Sequence, residues 1–94
     1  MLSVNEAQQA FQQFAARRPL LLDGTLYVDE WYEDASDYLP VWGAREFYVD
    51  GDHSYARWDQ RVVFIDKASG AVRVEYLPDH VVKVGAMTPV AVAR

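Results

Sequence analysis

An α+β domain, one N-terminal helix packed on a four- to five-stranded and mainly antiparallel sheet, is predicted by three features of this sequence. Apolar side chains recur at helical spacing through the first eighteen residues; after Pro19 the period shortens to two; and Gly, Asp and Pro clusters divide the remainder into short runs. Helix and sheet each carry one apolar side that neither can bury alone, so they are expected to cover one another. With 94 residues and 51% of them hydrophobic, the chain makes a single domain that buries roughly 60 to 65% of its unfolded surface.

The helix is placed at about 3–18. Ser3 followed by Glu6 matches a capping box, in which each side chain satisfies the other residue's orphan backbone donor. Val4, Ala7, Phe11 and Phe14 form the apolar stripe, Arg17 and Arg18 lie at the negative end of the helix dipole, and Pro19 stops the helix.

Strands follow at about 25–32, 41–49, 61–66 and 71–77. In the first, Leu26, Val28, Glu30 and Tyr32 alternate with Tyr27, Asp29 and Trp31. The second runs from Val41 to Val49, with Gly43 as a candidate bulge, and "EDASDYLP" between the two reads as a loop. "VVFIDKASGAVRVEYL", residues 62–77, is a hairpin: Asp66 accepts from the turn, and Gly70 takes the left-handed position. The tail is open to two readings, since Val81 to Val84 could add an edge strand, while Pro89 restricts its own segment to an edge or an irregular cover.

Cysteine is absent, which removes disulfides, thiol catalysis and thiolate ligands and makes the cytoplasm the expected setting. The N-terminus has no basic leader before an apolar stretch, and no apolar run approaches the length of a membrane span. Net charge is −5, unevenly distributed: residues 23–52 hold nine acids against Arg45 alone. Such a surface repels phosphate backbones and attracts basic ones, so nucleic acid is not expected as a direct partner and a basic protein is.

Catalytic chemistry finds little footing. His53 and His80 lie in turn-like settings, and Ser54, adjacent to His53, would point to the opposite face of an extended chain. "DGDH" at 50–53 lacks the register of a calcium loop and reads as a polar turn. Glu30 with Glu33 or Asp34 offers paired carboxylates, but a domain this small leaves little room for a cleft around them. The five glycines are isolated, and none opens a phosphate-cradling helix. No enzyme activity, cofactor or metal is therefore expected.

The densest feature is "YVDEWYEDASDYLPVW", residues 27–42, with five acids and no Lys or Arg. One reading makes Asp29, Trp31, Glu33, Asp34 and Asp37 a solvated exterior; the other makes them a recognition surface, aromatic anchors ringed by like charge.

The element order, the aromatic strand in "VWGAREFYVDGD" and the apolar strand entering "FIDKASGAVRVEYLP" resemble the small immunity proteins of bacterial polymorphic-toxin systems, most nearly the YrhB-like immunity family. In that likeness Trp42 to Tyr48 corresponds to the aromatic strand and Val62 to Gly70 to the strand and turn. The resemblance implies a stoichiometric inhibitor that blocks a cognate toxin, with no cofactor and no chemistry of its own. Its expected partner-binding patch is Asp29, Trp31, Glu33, Asp34, Asp37 and Tyr38. Two alternatives stand beside it: an assembly module that homodimerises through an exposed sheet edge at 81–84, and a small ligand- or metal-binding domain using the 50–54 turn.

Overall fold

The computed structural model describes residues 1–18, 20 and 22–92. It has the α+β architecture expected: helix α1 (Val4–Arg17) lies on one face of an antiparallel sheet formed by β1 (Leu26–Glu33), β2 (Asp37–Ala44), β3 (Arg61–Asp66), β4 (Val72–Tyr76) and β5 (Thr88–Pro89), in the order β4-β3-β2-β1-β5. The short helices α2 (Arg45–Tyr48) and α3 (Val81–Gly85) follow β2 and β4.

The capping box closes as the sequence requires, with Glu6 N–H donating to Ser3 Oγ at 3.2 Å and Ser3 N–H donating to Glu6 Oε1 at 2.9 Å. Pro19, the expected helix stop, lies outside the described residues, and Arg18 ends the helix with its N–H on the Phe14 carbonyl. Ala7 and Phe11 pack against Trp31, Tyr38, Trp42, Val63 and Ile65, with Phe11 meeting Trp31 edge to face at 6.3 Å. On the other face a smaller core joins Leu39, Phe64 and Met87, with Val84 of α3 against it.

The hairpin is built as expected. Asp66 Oδ1 accepts from the N–H groups of Ala68 (2.7 Å) and Ser69 (2.9 Å), and Gly70 has φ +76°, where a side chain would strain the backbone.

Three expectations need correcting. First, the strand placed at 41–49 runs instead from Asp37 to Ala44 and gives way to α2, so most of the supposed loop is strand. Pro40 lies inside β2, although a proline cannot donate to a ladder. Here it is harmless: Asp34 N–H bonds the Asp37 carbonyl, so by alternation Asp37 and Leu39 present their backbone groups to β1, and Pro40 faces β3, where the β2–β3 ladder has already ended at Tyr38. The Trp42 carbonyl on that same flank accepts from Arg57 Nε at 3.1 Å.

Second, the bulge is in β1 and not at Gly43: Val28 pairs with Trp42 and Glu30 with Val41, leaving Asp29 as the extra residue. One extra residue reverses the alternation beyond it. Trp31 therefore joins Val28 on the helix side and is only 4% exposed, while Tyr27, Glu30 and Tyr32 share the opposite face. Gly43 has a different task, since the Tyr48 ring lies where its Cβ would be, 2.7 Å from Cε2.

Third, residues 81–84 are helical. Thr88–Pro89 occupies the β1 edge instead, and the helical turn directs Lys83 and Val84 to the sheet, leaving Val82 88% exposed.

Replacing Trp31 with Ala is expected to cost roughly 3–5 kcal/mol in urea unfolding. A loss within about 0.5 kcal/mol, the usual effect at an exposed site, would contradict the burial described here.

Candidate protein-binding surface

Four of the six residues singled out for a contact patch are held by cations of the same chain, and Trp31 is in the core. Asp37, 2% exposed at the start of β2, accepts Arg73 Nη1 on Oδ1 and Nη2 on Oδ2, both at 2.9 Å, and Lys83 Nζ on Oδ2 at 2.9 Å. Asp34 in the β1–β2 turn takes Lys83 Nζ at 2.6 Å, and its Oδ1 accepts from the N–H groups of Ser36 and Asp37. Glu33 binds Lys67 at 2.7 Å, and Lys67 Nζ in turn lies 4.6 Å from the centre of the Tyr38 ring. Tyr38 is buried and its hydroxyl donates to the Leu2 carbonyl at 3.0 Å. Asp29 sits at the bulge, partly exposed. The expectation of one exposed patch is therefore corrected: the bulge turned Trp31 inward, and cations distant in sequence drew in Asp34, Asp37 and Glu33.

Phe64 forms the floor of this ion cluster. The charged groups of Arg73 and Lys83 lie 5.0 and 5.3 Å from its ring centre, and His80 packs edge-on at 5.4 Å. Burial pushes the Asp34 carboxyl up, but Lys83 and the two backbone donors outweigh it and bring its pKa down to about 2. Asp37 is likewise lowered, burial being outweighed by Arg73 and Lys83. The cluster is structural in character: its carboxylates are saturated by fixed cations.

The remaining charge lies elsewhere. Segments 23–30 and 45–59 contain seven acids (Asp23, Asp29 and Glu30; Glu46, Asp50, Asp52 and Asp59) and two bases (Arg45 and Arg57), a net of −5. That equals the whole chain's charge, so everything outside them balances to zero. The fold brings the two segments together: Thr25 N–H donates to Glu46 Oε1 at 2.8 Å, Arg45 N–H donates to the Thr25 carbonyl, and Tyr27 stacks near Tyr48 with ring centres 6.0 Å apart.

Three carboxylates of these segments are positioned by neutral donors, which orient a charge without cancelling it. Glu46 accepts from Thr25, Asp52 from Ser54 N–H and Oγ, and Glu30 from the Tyr32 hydroxyl. These hydrogen bonds hold Glu46 and Asp52 below the usual carboxylate range. Tyr48 is raised chiefly by burial, against the lowering effect of the Arg57 charge, with smaller upward contributions from Asp29 and Glu30. Asp59 is bracketed instead by cations, Arg57 at 2.6 Å and Arg61 at 3.1 Å.

Trp58 is the feature that sequence reading passed over. It is 89% exposed, while both its neighbours are fixed: Arg57 stacks 3.6 Å from the Trp42 ring centre and bonds its carbonyl, and Asp59 binds Arg57 and Arg61. An open groove of about 480 Å³ beside it is lined by Asp23, Tyr55 and Trp58 among others. A similar groove of about 420 Å³ between α1 and β1 is lined by Gln8, Phe11, Trp31 and Val92 and carries no charged side chain. The "DGDH" turn is accounted for locally, with Asp52 capping the 3-10 turn His53–Tyr55. Among the described residues, no group of three or more His, Asp or Glu side chains is placed to hold a metal ion, and no helix is long and apolar enough to cross a membrane.

Comparison of the chain with protein-family models, curated proteins and solved structures finds no match.

The lowered Asp34 and Asp37 carboxyls set the direction of acid sensitivity. A carboxyl whose folded pKa lies below its unfolded value of 3.8 stabilises the fold above that value and loses the contribution as pH falls toward about 2. Melting temperature is expected to hold between about pH 7 and 5 and to fall from about pH 4 downward. Lys83→Met should destabilise the protein by about 1–3 kcal/mol near neutrality and flatten the acid limb. An unchanged acid limb in that variant would remove Lys83 from the account.

Proposed function

We propose that the chain is a small acidic binding protein that occupies a basic surface of a protein partner in a one-to-one complex, as an immunity protein does toward its toxin. The observation that carries this reading is the concentration of the full net charge of −5 in two adjoining segments that also present Trp58. A focused field of one sign steers an oppositely charged partner and aligns it on encounter. Trp58 supplies what charge alone does not, a large rigid side chain able to enter a partner's pocket, held on a loop whose flanks are already ordered. On this reading the contact residues are Asp23, Glu30, Asp50, Asp52 and Trp58, with Asp29 retained from the patch expected earlier. A partner with a phosphate-binding site, such as a nuclease toxin, would present the required basic surface, and the acids would stand in for phosphates.

The test is affinity capture from source cells at low and high salt with three baits: the wild-type chain, W58A, and a D23N/E30Q/D50N/D52N variant. One basic protein, retained in stoichiometric amount by wild type, released by salt and lost with the fourfold variant, is the expected result. W58A should weaken the complex by about 2 kcal/mol or more without lowering the melting temperature of the free chain. Equal capture by wild type and the fourfold variant, or no retained protein, would contradict the proposal.

A further inference from the structure

The two edges of the sheet are unlike. At one end β5 is two residues long and contains Pro89, a short and poorly extendable edge. At the other, β4 runs five residues in unbroken register with β3, and among the described residues no strand pairs with its outer side. Asp66 N–H donates to the Ala71 carbonyl and Leu77 N–H to the Gln60 carbonyl, so odd-numbered residues face β3. By alternation Val72, Val74 and Tyr76 direct their N–H and C=O groups outward. Two of these three also present apolar side chains to solvent on the α1 side, Val74 at 41% exposure and Tyr76 at 55%.

We propose that this edge pairs with the same edge of a second copy of the chain, antiparallel about a dyad at Val74. The strand "VRVEY" is self-complementary in that register. Val74 meets Val74 of the second copy, Val72 meets Tyr76, and each of these pairs joins residues whose backbone groups face outward. Arg73 then stands directly opposite Glu75 of the second copy, and Glu75 opposite Arg73, in the closely spaced pairs that carry no backbone bonds. The neighbouring registers are disfavoured, since dyads at Arg73 or Glu75 set like charges face to face. The Arg73 guanidinium is already fixed by Asp37, with its Nε 3.6 Å from Glu75 of its own chain, and that Glu75 lies 3.5 Å from His80 Nε2, so both members of the cross-chain pair are held in place before association. The arrangement is isologous and closed, which ends assembly at the dimer. It uses none of the residues assigned to the acidic end.

Sedimentation equilibrium across a wide concentration range tests it, with wild type, V74P and E75K. The wild-type mass is expected to rise from 10.7 kDa toward twice that value. V74P removes an outward donor, a change that edge strands tolerate, and should remain at the chain mass with an unchanged circular dichroism spectrum. E75K places like charges opposite one another twice per dimer and should weaken association about tenfold or more. If V74P fails to fold, E75K alone decides. A wild-type mass fixed at 10.7 kDa throughout, or a folded variant that dimerises as tightly as wild type, would overturn the proposal.

Discussion

The carboxylate of Asp37 is gripped by Arg73 from β4 and Lys83 from α3 while its backbone pairs with Asp66 of β3, so one buried charge joins four elements. A carboxylate this deep survives only if both oxygens are satisfied by charged donors. Its need explains features that otherwise look unrelated. Residues 81–85 are helical so that Lys83 reaches back to the sheet, Ser36 and Asp34 turn the chain into β2 under the same ammonium, and Phe64 is sealed beneath Arg73, Lys83 and His80. Removing one partner from such a pair leaves its counterpart buried and unpaired, which is why these contacts are more costly to break than surface ion pairs.

The consequence for function is a division of the acids by their partners. Around Asp37 carboxylates meet ammonium and guanidinium groups, and the local field is neutralised. At the opposite end of β1 they meet amides and hydroxyls, which hold Glu46, Asp52 and Glu30 in place and leave their charge projecting outward. The Arg57–Asp59–Arg61 clamp lies on the flank that β3 vacates along β2, where Arg57 bonds the Trp42 carbonyl, and leaves Trp58 exposed. Trp58, the most exposed aromatic among the described residues, thus lies within one of the two acidic segments.

Much of the fold was legible because local patterns and global packing agree. The Ser3–Glu6 box, the stripe through Ala7 and Phe11, and the Asp66–Gly70 turn each depend on residues a few positions apart. What escaped reading depended on distant residues. The bulge at Asp29 has no signature in "YVDEWY", yet it reverses every side chain after it and moves Trp31 from surface to core. Pro40 fits in a strand only because the β2–β3 ladder ends early, which makes its missing N–H irrelevant. Val81–Val84 has strand composition, but the cations needed at Asp34 and Asp37 are separated from them by more than thirty residues. Charge counting along residues 23–52 located the excess of acid correctly in bulk and could not sort paired carboxylates from unneutralised ones. Trp58 gave a signal in principle, as a large aromatic between Arg57 and Asp59 in a polar turn.

That sorting is the claim on which everything else turns, and thermal unfolding of two neutralised variants of the free protein tests it directly. In D34N/D37N the cations Arg73 and Lys83 lose their carboxylates; in D23N/E30Q/D50N/D52N the self-repelling end is discharged. The account predicts a steep loss of melting temperature in the first and an unchanged or higher one in the second, since relief of like-charge repulsion favours the compact state. A stable first variant with a destabilised second would contradict it, and would return the binding surface to residues 33–37.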